Sequence, residues 1–421
     1  MVQIPAGAGF WRKSLAFFGP GLLIAVGYMD PGNWATDLAA GAKFGYTLLA
    51  VVLFSNFLAI LFQYLALKLG IATGSDLAQA CRNNYSRPVT IVLWVLCEIA
   101  IIACDLAEVI GSAVALNLLF GLPLVIGIVL TGLDVFVILA LQSRGFRYLE
   151  AVIGGLMMII AGVFIYELVV ARPEWAGVAV GLLPKADIVA NPMMLYISIG
   201  ILGATVMPHN LYLHSSIVQT RAFKRDDAGR SMAIKFATMD IMVSLGLAFF
   251  INAAILVLSA AAFHGTGNQD VADITDAYRL LAPTLGAAMA SVLFAVALLA
   301  SGQSSTMTGT LAGQIVMEGF LDIRLRPWVR RIITRSMAII PALCVAVWMG
   351  SRGIGQMLVL SQVVLSFQLA FAVIPLVYFT SDKKLMGRFT NGMVIRTLGW
   401  AAAGLIVVLN LYLIFQVVKN V

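Results

Sequence analysis

Charge is what this chain has least of. Only 11% of its 421 residues are Asp, Glu, Lys or Arg, against 61% hydrophobic. No polar stretch is long enough to fold alone, which excludes an appended soluble domain and leaves a polytopic membrane protein. Cysteine is scarce: Cys81, Cys97, Cys104 and Cys344 make no CxxC pair, and three of them sit in apolar stretches. That argues against a disulfide framework or a structural zinc site and leaves reduced packing residues. Histidine occurs three times. His209 and His214 lack the intervening glutamate of an HExxH metalloenzyme, and there is no Walker loop, so neither an enzyme nor direct ATP power is expected. A signal-peptide cleavage site is missing as well. Arg12 and Lys13 precede the first apolar run, but that run passes straight into Asp30-Pro31.

What is present is a series of eleven apolar segments, each long enough to cross a bilayer. They cover about 17–41, 46–69, 89–119, 122–142, 150–171, 193–219, 238–263, 284–307, 331–350, 355–379 and 395–417. The net charge of +7 does not point to nucleic acid, because 21 of the 27 lysines and arginines fall on one side of this topology. Lys43, Arg172, Lys185, Arg279, Arg352 and Lys419 are the remainder. Positive residues stay inside, so the N-terminus is expected in the cytoplasm and the C-terminus outside. The expected location is a cytoplasmic (inner) membrane, crossed many times.

Two of these segments are interrupted. In the first, Asp30-Pro31-Gly32-Asn33 breaks an apolar run; in the sixth, Met207-Pro208-His209 does. Pro31 and Pro208 each remove a helix hydrogen bond, and Gly32 adds backbone freedom. Irregular backbone is tolerated at bilayer depth only inside protein or beside a water-filled cavity. Corresponding breaks five spans apart point to a secondary transporter built from inverted repeats. The expected division is repeat one at 1–171, an inverted repeat two at 172–380, and a connection with an added eleventh helix at 381–421. Ordinary proline kinks in a receptor or channel would not require Asp30, Asn33, Met207 and His209 at the same places.

At the breaks, Asp30 offers a hard anionic oxygen, Asn33 an amide oxygen one turn later, Ala204 a freed carbonyl and Met207 a thioether. Oxygen alone suits magnesium and calcium, whereas a sulfur ligand favours transition metals. The third span carries Glu98, Asp105 and Glu108 on roughly one stripe. Carboxylates in a membrane helix need partners or water and mark proton relays. Arg330 and Arg331, at the start of span nine, are candidate partners, and His209 adjoins the metal site. Asp134 and Asp240 acquire no role from the sequence, and His264, in an external loop, reads as incidental.

These residues resemble the two signatures of the NRAMP family of divalent metal transporters, above all its bacterial proton-dependent manganese members. Gly302-Gln303-Ser304-Ser305-Thr306-Met307-Thr308-Gly309-Thr310, continuing to Glu318-Gly319-Phe320, is similar to that family's long transport signature. Ser361-Gln362-Val363-Val364-Leu365-Ser366 is similar to its span-ten motif. The resemblance covers about residues 15 to 415. It implies an all-α membrane fold with eleven helices and a LeuT-like 5+5 inverted repeat, broken in helices 1 and 6. It implies metal–proton symport into the cytoplasm, with Mn2+ first, Fe2+ and other soft divalent ions after it. The metal would be held by Asp30, Asn33, the Ala204 carbonyl and Met207, with Gln362 joining in some conformations. Asp30, Glu98, Asp105, Glu108, His209, Arg330 and Arg331 would carry the proton. No resident cofactor and no obligatory protein partner are expected; a monomer in the lipid bilayer suffices. Trp34 and Ala370 depart from the family pattern, where many relatives have Phe or Leu and Pro. Two other classes compete. A sodium-coupled amino-acid carrier of the same fold would find its substrate carboxylate repelled by Asp30. A cation channel usually builds its pore from oligomeric rings rather than from paired breaks in one chain.

Overall fold

Backbone groups in hydrocarbon have no water to bond to, so each long apolar run closes its hydrogen bonds internally as a helix. The computed structural model describes residues 2–3, 9–133, 146–264, 274–285, 288–323, 326–348 and 350–419. A short helix α1 (Phe10–Phe17) leads into the first span, which is split into α2 (Pro20–Gly27) and α3 (Pro31–Phe44). Next come α4 (Leu49–Thr73), the short α5 (Leu77–Asn84), α6 (Arg87–Phe120), α7 (Leu124–Leu130) and α8 (Phe146–Ala171). Two short helices follow, α9 (Trp175–Gly181) and α10 (Asp187–Ala190). The sixth span is split into α11 (Pro192–Val206) and α12 (Pro208–Ile217). The rest comprises α13 (Asp227–Phe263), α14 (Ile274–Leu285), α15 (Ala288–Leu321), α16 (Pro327–Trp348), α17 (Gly350–Ser381), α18 (Lys383–Met386) and α19 (Met393–Lys419).

Among the described residues nine helices, the α11–α12 pair counted as one, are long and apolar enough to cross a bilayer. The split first span and the fourth span, described only as far as Leu133, complete the expected eleven. Both expected breaks are real. The helices overrun the apolar limits read from sequence: α13 starts at Asp227 rather than near 238, and α15 continues to Leu321 rather than 307. Asp226 caps α13 by accepting from Gly229 N at 2.7 Å.

Packing places the broken spans at the centre. α3 lies against α13, α11 against α17, and α6 against α15, while α19 packs outside on α17. Glycines set the closest approaches. A side chain at Gly111 of α6 would collide with the Pro31 ring, and one at Gly203 of α11 with the Gln362 backbone. The two breaks are therefore held within contact of the same neighbours. Asp134 lies outside the described residues.

Candidate metal site

The site begins with the backbone freed at the breaks. Between α2 and α3 the carbonyls of Tyr28 and Met29 have no helical partner. Asn252 of α13 donates its amide to Tyr28 O at 2.8 Å, while Trp34 Nε1 (3.1 Å) and the Ser301 hydroxyl donate to Met29 O. The break is thus satisfied by side chains from three helices, as buried backbone requires. Trp34, one of the departures from the family pattern, is fully buried edge-on to Phe164 and Phe294.

Asp30 caps α3. Its Oδ1 accepts from Asn33 N and from Asn33 Nδ2, both at 2.8 Å. The same Nδ2 donates to Ala204 O at 3.0 Å, so the Asn33 amide bridges a carboxylate and a carbonyl from the two broken spans. The expectation that Asn33 turns its oxygen to this point is not met here. Two acceptors that face each other need a donor between them, and the amide nitrogen supplies it. Met207 stands at the break of the sixth span, its side chain buried. It accepts from Asn210 Nδ2 at 3.6 Å and lies against Gly27, where any Cβ would stand 3.5 Å from the sulfur. The Gln362 amide reaches over Gly32 so closely that a Cβ on that glycine would strike it. Asp30, Asn33, Ala204, Met207 and Gln362 are all at most 1% exposed, so the site is sealed from both sides.

Several acceptors here are left without donors among the described residues: Asp30 Oδ2, Gln362 Oε1, Asn210 Oδ1 and Asn252 Oδ1. Buried acceptors of this kind are costly unless something electropositive meets them. Among the described residues no three His, Cys, Asp or Glu side chains form a metal-holding group. What converges is one carboxylate with amide, carbonyl and thioether donors, a mixed set that suits a borderline transition cation. Beneath it, Tyr28 OH accepts from Gln63 Nε2 at 2.7 Å, and Gln63 Oε1 lies 2.9 Å from His214 Nδ1. His209 is buried in the first turn of α12 and its Nδ1 has no partner among the described residues.

The carboxylate row on α6 meets arginines from α16. Arg330 holds Glu98 at 2.8 Å, Arg331 holds Asp105 at 2.8 Å, and Arg335 holds Glu108 at 3.4 Å. Cross-pairs at 3.8 and 3.9 Å join the last four groups into one cluster. Among the described residues Arg330 therefore pairs with Glu98 alone, and Arg335, one turn beyond Arg331, completes the set that sequence reading left at two. The spacing of Arg331 and Arg335 would have revealed it. Gly309 and Gly313 of α15 make room, since side chains there would press on Glu108 and Arg330 respectively.

The end of α2 on the side rich in basic residues is clamped. Asp240 Oδ2 accepts from Gly21 N at 2.7 Å and Gly19 N at 3.3 Å, which gives this residue the role that sequence did not supply. Arg147 and Arg221 donate to Phe18 O at 2.8 and 3.1 Å, and Glu150 holds both guanidinium groups at 3.2 and 2.7 Å. His264 is less incidental than expected: its ring lies against Gly45, with Nδ1 3.1 Å from Ala42 O.

Residues 21–416 match the family model "Natural resistance-associated macrophage protein-like". A protein of Listeria monocytogenes serovar 1/2a named "Divalent metal cation transporter MntH" is 59% identical over 419 residues, covering 100% of this chain and 94% of its own. The manganese transporter of Eremococcus coleocola is 41% identical, with a TM-score of 0.90 over 98% of this chain and 88% of that one. At 16% identity the nucleobase–cation symporter Mhp1 matches with a TM-score of 0.61 over 96% and 93%, a likeness of fold alone.

Proposed function

The chain belongs to the Nramp family, and from that premise we propose that it imports divalent transition-metal ions together with protons. Manganese is its first substrate, with iron and other soft divalent ions after it, and the route is alternating access. The observation that supports this reading is the meeting of Asp30, Asn33 and the Ala204 carbonyl where two interrupted helices face each other, with Met207 at the second break. The metal is cargo, and no resident cofactor is needed. One copy in the membrane suffices, with its N-terminus in the cytoplasm and residues 1–171 and 172–380 as the inverted repeats.

Charge and donor chemistry give the sequence of events. Opening on the outer side withdraws Gln362 and admits water. A dehydrating cation takes Asp30 Oδ2, displaces the Asn33 nitrogen and draws the amide oxygen round in its place. Met207 adds little affinity for magnesium or calcium and more for softer ions. A proton released or taken up near Asp30 moves through Glu108 and Asp105, whose charges Arg331 and Arg335 hold. Opening on the inner side requires the Tyr28–Gln63–His214 chain to part and the Asp240 and Glu150 clamps to release α2.

The test is uptake into proteoliposomes loaded with a metal indicator and a pH dye. The wild-type chain takes up manganese and acidifies the lumen, with saturation that a channel would not give. Asp30→Asn loses uptake of every divalent ion. Uptake by Asp30→Asn at the wild-type rate would remove Asp30 from the site and overturn the reading.

A further inference from the structure

Behind α11, on the face turned away from the metal, lies a cavity of about 230 Å³ walled by α4, α10, α11 and α19. Its lining is apolar apart from a few groups, and Phe54 and Val189, both about half exposed, form its lip toward the bilayer. Three polar side chains break the apolar wall: Ser198, whose hydroxyl donates to Met194 O, Lys185 and Ser55. Lys185 stands at the rim, exposed, and has no ion pair among the described residues. It is one of only six basic residues on its side of the topology, with Asp187 two residues on as its acidic neighbour in sequence. Ser55 lies fully buried in the wall, and its hydroxyl has no partner among the described residues. Along α11 the lining runs from Leu195 to Leu202, about 10 Å at helical rise.

An apolar trough open to lipid, a cation at its mouth and a spare hydroxyl inside match the three parts of one molecule. We propose that the groove binds a single anionic phospholipid from the leaflet on the side poor in basic residues. The acyl chain lies along Ile199 and Leu202, the phosphate meets Lys185, and an ester oxygen accepts from Ser55. Water does not fit this role, because a wall this apolar offers it too few partners. The cation selects the headgroup, since a lysine near the bilayer surface favours anionic lipid. The lipid would then pack on the back of the half-helix whose front carries Ala204.

Native mass spectrometry on the full-length protein in detergent tests this directly, with phosphatidylglycerol and phosphatidylcholine as probes. One retained phosphatidylglycerol is expected, preferred over phosphatidylcholine by about fivefold. Lys185→Gln, an exposed change that leaves the fold alone, should bind both lipids equally. Val51→Trp, which fills the groove from α4, should retain neither. Glycerol phosphate, which has the headgroup anion without tails, should not displace the lipid. Equal binding of the two lipids by the wild-type chain, a preference that survives in Lys185→Gln, or displacement by glycerol phosphate would each overturn the proposal.

Discussion

Asp30 uses one of its two oxygens in structure and leaves the other free for the proposed cargo. Oδ1 is spent on the Asn33 backbone and amide, so it fixes the start of α3, while Oδ2 has no partner among the described residues. In the proposed site Met207, at the facing break, would decide which cation gains from leaving water. Met207→Ala keeps Asp30, Asn33 and the Ala204 carbonyl, so manganese uptake should persist within a few-fold. The selectivity should fall, with millimolar calcium or magnesium now competing; uptake of manganese in the presence of each ion measures it, and a variant still indifferent to calcium would assign selectivity elsewhere. The two breaks were legible because proline, glycine and acid do not belong in a membrane helix, and each announces itself within a few residues of sequence. Asn252 was not legible. It is a polar residue in a long apolar helix, and its importance lies in reaching the Tyr28 carbonyl, 224 positions away.

At the scale of an element, the short helix α2 is buried and held from outside itself. It is eight residues long and owes its closed position to groups on other helices. Asp240 acts as an N-cap supplied from α13, and losing an N-cap costs about 0.5–2 kcal/mol. In Asp240→Ala the closed state carries that cost, whereas an open α2 has water for its Gly19 and Gly21 amides. The population open on the clamped side should rise about tenfold, read as faster thiol labelling of a Val26→Cys probe; unchanged labelling would mean the clamp is ornamental. The capping box of α5 gives a prediction with a pH signature. Burial pushes the Asp76 carboxyl up to about 6, and amide donors, chiefly Gln79 N, hold it from going further. A folded-state value above the unfolded one means that stability is present at low pH and lost as pH rises through about 6. Asp76→Asn keeps the cap without the buried charge. It should therefore gain on the wild-type chain between pH 4 and 6, by at most about 3 kcal/mol, and hold that gain above pH 7. Thermal unfolding in detergent across this range measures it, and a difference independent of pH would refute the assignment. The spans themselves were readable because hydrophobicity is local, and Arg330 and Arg331 were readable as partners of the α6 carboxylates; the clamps were not, because they exist only where distant helices cross.

For the whole molecule the question is what the charged cluster on α6 and α16 contributes beyond structure. Replacing a buried ion pair with well-packed apolar groups is often neutral or stabilising by about 1–4 kcal/mol, so a transporter indifferent to protons would lose nothing by such a change. Keeping Asp105, Glu108, Arg331 and Arg335 within 3.9 Å of one another is reasonable if the cluster exchanges a proton with the metal site. The energetics make this measurable. Two metal charges gain about 4.6 kcal/mol per 100 mV across the membrane, from roughly 2.3 kcal/mol for each. That alone sustains more than a thousandfold accumulation, at about 1.4 kcal/mol per decade. A coupled proton adds its own voltage contribution and a further decade for each unit of pH gradient. At fixed potential, then, the steady-state manganese ratio in proteoliposomes should rise about tenfold per unit of external acidification for every proton carried. Glu108→Gln removes a proton acceptor but keeps its shape and leaves Asp105 to hold the arginines. It should retain voltage-driven uptake and lose most of the pH dependence. If the wild-type ratio does not move with pH, the cluster is structural, and the metal is driven by voltage alone.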